Sequence, residues 1–349
     1  MMKIIVIGDP HFQTDNMTEV NLFVEKIEEL VIKEIPNFIV ILGDLLHTHE
    51  RLHTTPLNKA YNFVKKMRDV SPTFILVGNH DMVNNQQFLS PNHWMNGMKE
   101  WDNVKIIDDV FHSKIEGFHF VFCPYVPPGR FQEALDTNQE DWKGVDCIFA
   151  HQEFYGCKMG AIVSIEGDKW SKEYPHVISG HIHSRQTVQN NIYYPGSSMQ
   201  HAFGESEKNI IPILSWDKAG NPMSLIEIDL KLPRKKIVYM DVGDIEDYEP
   251  PKSKDKLKIT LSGDYCDFKA LKKTKKYKQL TDKGLKIVFK PKKIKKEEDD
   301  EKELEPVNET DFNRILSSLV AKEKDPFLYQ IFELVINNKT INEDDILFL

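Results

Sequence analysis

Residues 38–47 read Phe38-Ile39-Val40-Ile41-Leu42-Gly43-Asp44-Leu45-Leu46-His47: five apolar side chains, a glycine, an aspartate and, three positions on, a histidine. A short unbroken apolar run suits a strand buried on both faces, and glycine allows a sharp exit that leaves polar side chains at the strand's end. The pattern recurs in both directions along the chain. Residues 3–7 run into Gly8-Asp9-Pro10-His11, residues 74–77 into Gly78-Asn79-His80-Asp81, residues 147–150 into His151, and residues 177–179 into Gly180-His181-Ile182-His183. Further apolar runs at 118–122 and 192–194 complete the set.

Between these runs, residues 20–33 place Val20, Phe23, Val24, Ile27, Leu30 and Val31 on one helical face, and residues 57–67 do the same with Leu57, Tyr61, Val64 and Met67. Strands joined by helical crossovers predict an α/β unit over residues 1–230, with the stripes serving as core packing. No stretch reaches the roughly 18 consecutive apolar residues of a membrane span, and the first residues lack a signal peptide's layout. The expectation is an intracellular protein without membrane contact. Cys123, Cys147, Cys157 and Cys266 are far apart and form no CxxC pair, so reduced and mostly buried thiols are expected rather than disulfides or a zinc knuckle.

Taken singly, an aspartate after a strand is an ordinary turn or cap residue, and an isolated histidine is an ordinary polar group. Taken together, five strand ends that each present Asp, Asn or His point to bound metal. A mixture of carboxylate, imidazole and amide oxygen suits manganese, iron or zinc better than calcium.

The five motifs resemble, in order, the D-x-H, G-D, G-N-H-D/E, H and G-H-x-H signature of the calcineurin-like metallophosphoesterases, over residues 1 to about 200. The resemblance implies a four-layer α/β/β/α sandwich that binds two divalent ions, with manganese the first expectation. It implies Asp9, His11, Asp44 and His183 on one ion and Asp44, Asn79, His151 and His181 on the other, with Asp44 shared. His80 would stand beside them, oriented by Asp81, to stabilise the transition state or protonate the leaving oxygen. Two departures are visible: the first motif reads Asp-Pro-His-Phe, and Ala150 rather than glycine precedes His151. Neither removes a ligand.

Residues 43–47 depart from the G-D-x-V-D-R-G motif of protein Ser/Thr phosphatases. They are similar instead to the second motif of the SbcD-type subunits of double-strand-break repair nucleases and their phage recombination endonuclease relatives, in which the later histidine, here His47, acts on the substrate. Domain order agrees with that likeness. Residues 231–296 carry 21 Lys or Arg against 9 Asp or Glu, a balance of +12 in a chain whose net charge is -9. Strand-like pieces at 235–240, 257–261 and 285–289 surround a Lys-rich helical stretch at 268–280, which predicts a small α+β cap suited to DNA backbone. Residues 297–306 form an acidic linker, with seven acidic residues among 297–305. Helical spacing at 310–322 and 326–337 makes 307–349 a helical element, which the resemblance assigns to binding an ABC-type coiled-coil ATPase.

Helices at 54–68 and 86–99 occupy the region where such nucleases form homodimers, with Phe88, Trp94, Met95 and Met98 as apolar contacts. The function expected is a two-metal DNA nuclease, exonucleolytic on duplex ends and endonucleolytic on single strands or hairpins, acting in break repair or recombination. A phosphodiesterase of small nucleotides and a DNA-binding scaffold are the alternatives.

Overall fold

Strand Met2–Ile7 is apolar on both faces, so it needs cover on both sides and takes a central place in a six-stranded sheet. In spatial order the sheet runs Ser224–Ile228, Ile211–Trp216, Met2–Ile7, Phe38–Ile41, Thr73–Leu76 and Val104–Ile107. The last four are parallel, in a register that sets Ile4 beside Phe38 and Ile7 beside Ile41, while the first two are antiparallel additions. The second sheet runs Gln186–Gln189, Ile192–Tyr194, Val177–Gly180, Cys147–His151, Phe118–Cys123 and Phe111–Ile115, with its central four strands parallel.

The structure, a computed structural model, describes residues 1–206 and 208–291 and eight helical positions between 316 and 332. Two units are distinguished, Met1–Lys292 and Lys293–Leu349. The expected linker at 297–306 and nearly all of the expected element at 307–349 lie outside the described residues.

Alternation along the strands builds the layers. Ile4, Val6, Phe38, Val40, Phe74 and Leu76 face Phe120, Phe122, Phe149 and Ile178 across the two sheets. Phe74 stacks on Phe122 at 4.6 Å between centroids, and Phe38 meets Phe120 edge-on at 5.3 Å. On the outer face, Ile5, Ile7, Ile39 and Ile41 are covered by Val20, Phe23, Phe63, Val64 and Met67 from helices Met17–Glu34 and Thr54–Val70. The second sheet's outer face is closed by Phe131, Trp142, Phe154 and Trp170, which come from the five-residue helix Phe131–Leu135 and from irregular segments. The result is a mixed α/β sandwich whose outer layers are unequal, one of long helices and the other largely of aromatic side chains.

A third sheet, Lys235–Asp241, Lys256–Gly263 and Lys286–Pro291, is parallel throughout and closes its own core of Val242, Ile245, Ile259, Leu261, Phe268 and Leu280. The Lys-rich stretch expected as one helix is two, Tyr265–Leu271 and Lys275–Asp282. The Thr274 hydroxyl accepts a hydrogen bond from the Tyr277 amide and starts the second afresh. Residues 86–99 are likewise not one helix. Only Trp94–Glu100 is helical, as a 3-10 turn whose start is capped by the His93 ring accepting from the Met95 amide.

Two of that segment's apolar side chains are spent in the core, while Trp94 and Phe88 keep part of their surface exposed. Met95 and Met98 are fully buried, the Trp94 indole donates to Asp81, and Phe88 lies 3.6 Å beneath the Arg130 guanidinium. Cys123, Cys147 and Cys157 are buried, Cys266 is exposed, and all four are free thiols. No described helix is long and apolar enough to cross a membrane.

Candidate metal centre

The motif loops leave the carboxyl ends of parallel strands in both sheets and meet there. Asp9, His11, Asp44 and His181 all have left-handed backbones, with φ of 32°, 44°, 49° and 78°. Such conformations cost about 1–3 kcal/mol each in non-glycine residues and persist only where surroundings enforce them. The enforcement is visible: the His11 amide donates to the Asp44 carbonyl and the Phe12 amide to the Leu45 carbonyl, each at 2.9 Å. Glycine is required beside them by close approach. A Cβ on Gly78 would stand 2.2 Å from Asp44 Oδ1, and one on Gly43, itself at φ 106°, 2.6 Å from His151 Nδ1.

Seven side chains converge. Asn79 Oδ1 is 3.0 Å from His151 Nε2 and 2.9 Å from His181 Nδ1. Asp44 Oδ2 lies 3.4 Å from His151 Nε2 and 3.5 Å from His11 Nε2, so it stands between two groups of donors. His11 Nε2 in turn faces His183 Nε2 at 3.0 Å. The His151 Nδ1 donates to the Leu42 carbonyl at 2.7 Å, which fixes the ring and aims its Nε2 inward. Asp9 accepts from the His181 amide through Oδ1 at 2.9 Å, while its buried Oδ2 has no hydrogen-bond partner.

Burial and mutual charge set the protonation states. Burial pushes Asp9 up to about 6 and holds His11 well below the usual imidazole range. Burial would also raise Asp44, but the charge and hydrogen bond of His151, with help from His11, outweigh it and keep the carboxyl well below its ordinary value. His151 reaches about 9 against its burial because Asp44 and Asp9 lie beside it, and His181 falls to about 3 through burial and the neighbouring His151. The orphaned Asp9 Oδ2, the shared Asp44 and imidazole nitrogens facing one another at hydrogen-bond distance form a donor set that fits divalent cations.

His47 and His80 stand beside this cluster. Their rings stack at 5.4 Å, His49 stacks on His80 at 4.6 Å, and His47 Nδ1 is 3.4 Å from His11 Nδ1. His80 Nδ1 donates to the His47 carbonyl at 2.6 Å, which leaves its Nε2 free to act. The expectation that Asp81 orients His80 is corrected. The buried Asp81 carboxylate instead takes the amides of Gly78, Leu45 and Leu46 and the Trp94 indole, tying two motif loops together. Burial, then the nearby Asp44, lifts it to about 7.

Two residues of the site escaped the motif reading. His201 donates from Nε2 to the Asp9 carbonyl at 2.9 Å, and its ring lies 4.9 Å from that of His11. Glu205 sits 3.4 Å from His183 Nδ1 and accepts from the His201 and Ala202 amides at 2.7 and 2.8 Å. The available signal was positional: strand Ile192–Tyr194 is followed by Pro195-Gly196-Ser197-Ser198, a turn that leaves a parallel strand as the motif loops do.

A two-sheet α/β sandwich with carboxylates, imidazoles and an amide gathered at its strand ends defines a metal-dependent phosphoesterase. The Calcineurin-like phosphoesterase family matches residues 2–188, and the chain belongs to that family. Its members use divalent metals. The chain is 52% identical over 277 residues to protein 244L of Invertebrate iridescent virus 6, covering 78% of this chain and 98% of that one. It is 48% identical over 295 residues to protein 078R of Invertebrate iridescent virus 3, covering 83% and 84%; phosphoesterase stands in the name of both. The purple acid phosphatase PPD1 from yellow lupin seeds superposes with a TM-score of 0.37 at 11% identity, covering 61% of this chain and 49% of that structure.

Proposed function

We propose that this phosphoesterase is a two-metal DNA nuclease of the SbcD type, acting on duplex ends and single strands in break repair or recombination. The observation that carries the proposal is where the Lys-rich sheet is anchored. Lys235 donates from Nζ to the His201 carbonyl at 2.5 Å and from its amide to Gln200 at 2.6 Å, and Gln200 donates to the Lys235 and Glu205 carbonyls at 3.2 Å. The loop that sets Glu205 against His183 therefore also carries the first strand of a basic domain.

Asp9, His11, Asp44 and His183 would hold one ion, and Asp44, Asn79, His151 and His181 the other, with manganese the expected metal. When bound, two such ions supply charge against a phosphoester's developing negative charge and acidify water. His80, its Nδ1 held by the His47 carbonyl, would act as the imidazolium, a form that burial disfavours and a bound phosphate's negative charge would favour, giving its Nε2 proton to the leaving oxygen while the adjoining His47 positions the scissile phosphate. Lysines of residues 231–296 bind the DNA backbone without reading sequence. An ABC-type coiled-coil ATPase engaging 307–349 and a second copy of the chain complete the proposed assembly.

A small-nucleotide phosphodiesterase is the second reading, favoured by a cavity of about 540 Å³ lined by His181, His183, Met159 and Phe203. End-labelled duplex and single-stranded DNA, incubated with the chain and manganese beside a cyclic nucleotide, decide between them. Degraded DNA is expected; intact DNA with a hydrolysed cyclic nucleotide would overturn the nuclease proposal in favour of the second.

A further inference from the structure

We propose that His112, His119 and Glu140 form an additional divalent-metal site, separate from the Asp44 centre, that takes a borderline transition ion such as zinc. Strands Phe111–Ile115 and Phe118–Cys123 make an antiparallel hairpin in which His112 pairs with Val121 and His119 with Lys114, so the two histidines share a face as diagonal neighbours. His112 Nδ1 and His119 Nε2 are 3.1 Å apart, and Glu140 Oε2 is 4.0 Å from each.

Zinc bonds of about 2.0–2.2 Å in tetrahedral geometry place neighbouring donors about 3.3 Å apart. The histidine pair meets that within a few tenths of an ångström, and half-exposed Glu140 closes the remainder by a side-chain movement under about 1 Å. Two imidazoles and a carboxylate leave the fourth position to water, a common open zinc set. The His112 side chain is only 1% exposed, so packing holds the ring within the hairpin, with Nδ1 turned toward His119. Burial also lowers its affinity for a proton, which keeps a ring nitrogen available for metal. Lys114 is the competitor, 3.7 Å from the same Glu140 oxygen, but at 71% exposure it is free to swing into solvent.

The cluster shares no residue with the Asp44 centre. His119 lies near the start of a strand that runs parallel to Cys147–His151, whereas His151 closes that strand, so the two groups occupy opposite ends of the sheet. An ion there would clip the loop carrying Glu140 onto the hairpin whose outer strand, Phe111–Ile115, forms the sheet's edge, the position most open to unwanted pairing.

The test is equilibrium dialysis of the full chain, stripped with chelator, against a fixed concentration of free zinc, with metal per chain counted by mass spectrometry. His119→Ala should hold one equivalent less than the wild type while keeping manganese-dependent phosphoesterase activity. Asp44→Ala should retain the equivalent that His119→Ala loses. Glu140→Gln, a change at an exposed side chain that leaves the fold untouched, should weaken that equivalent about tenfold. Equal zinc content in His119→Ala and wild type, or unaltered zinc affinity in Glu140→Gln, would overturn the proposal.

Discussion

Asp44 is buried with its two oxygens aimed differently: Oδ1 accepts from the His80 amide at 2.8 Å, and Oδ2 faces the rings of His11 and His151. Around it, side chains differ in what they touch, and the difference is measurable. His47 touches the expected ligands through the ring of His11 and otherwise stacks on His80, so its removal should spare the metal and harm the chemistry. His47→Ala is expected to retain wild-type metal content and lose roughly 10²-fold or more in hydrolysis, the usual worth of a positioned acid or base. Metal content and rate measured on one preparation check this, since a parallel loss of metal would make His47 a ligand instead. Glu205 acts the other way round, through the ring of His183. Glu205→Gln should weaken manganese binding about 10- to 100-fold, with the rate recovering at saturating manganese. A rate that stays low at saturation would assign Glu205 a part in the reaction itself.

At the scale of elements, legibility followed from how each piece is specified. Parallel strands buried on both faces announce themselves as unbroken apolar runs, and their polar exits as motifs, so residues 3–11, 38–47 and 74–81 could be read with no partner in view. Ser224–Ile228 and Phe111–Ile115 are half-exposed edge strands defined by pairing alone, and nothing local marked them. Residues 86–99 misled because Met95 and Met98 have helical spacing, whereas the His93 cap and the contact with Asp108 decide the outcome. The His93 ring accepts from Met95 through Nδ1, donates to Asp108 through Nε2 at 3.1 Å, and shares that carboxylate with Lys99. Burial would raise the Asp108 carboxyl, but its bonds to His93 and Lys99 outweigh it and hold it at about 2. A carboxyl depressed on folding stabilises the fold above its ordinary value near 3.8 and loses that contribution as pH falls toward 2. Asp108→Asn should therefore be less stable than wild type at pH 6 and close to it near pH 2, as read from urea midpoints. A gap that does not narrow on acidification would remove the linkage. Gly78 tests close approach without backbone strain, because its φ of -82° suits any residue. A methyl group there meets Asp44, so Gly78→Ala should cost about 1–3 kcal/mol by overpacking, measured by denaturant unfolding; an unchanged midpoint would mean that the loops have room to part.

On the whole molecule, a net charge of -9 would repel a polyanion if it were spread evenly, and it is not. Residues 231–291 are basic, and Lys269, Lys272, Lys273, Lys275, Lys278 and Lys283 are exposed on the two helices of that segment and at their C-terminal ends. Fields between exposed charges fade over about 8 Å at physiological ionic strength, so a DNA backbone lying on these helices would feel the lysines far more than the acidic remainder. Anchoring through Lys235, Gln200 and the Lys256–Glu19 ion pair keeps that surface attached to the catalytic sandwich. Each lysine that neutralises a phosphate releases counterions and contributes about 0.9 to the slope of log affinity against log salt. Replacing Lys272, Lys273 and Lys275 together by glutamine should thus flatten the slope by about 2.7 if all three contact phosphates. Manganese-dependent hydrolysis of bis(p-nitrophenyl) phosphate, which is too small to span both regions, should be unchanged in the same variant. Binding to labelled duplex between 50 and about 200 mM salt gives the slope, the range over which phosphate contacts alter affinity most visibly. An unaltered slope would count against DNA binding by these lysines, whereas a fall in small-substrate hydrolysis would show that they support the metal centre.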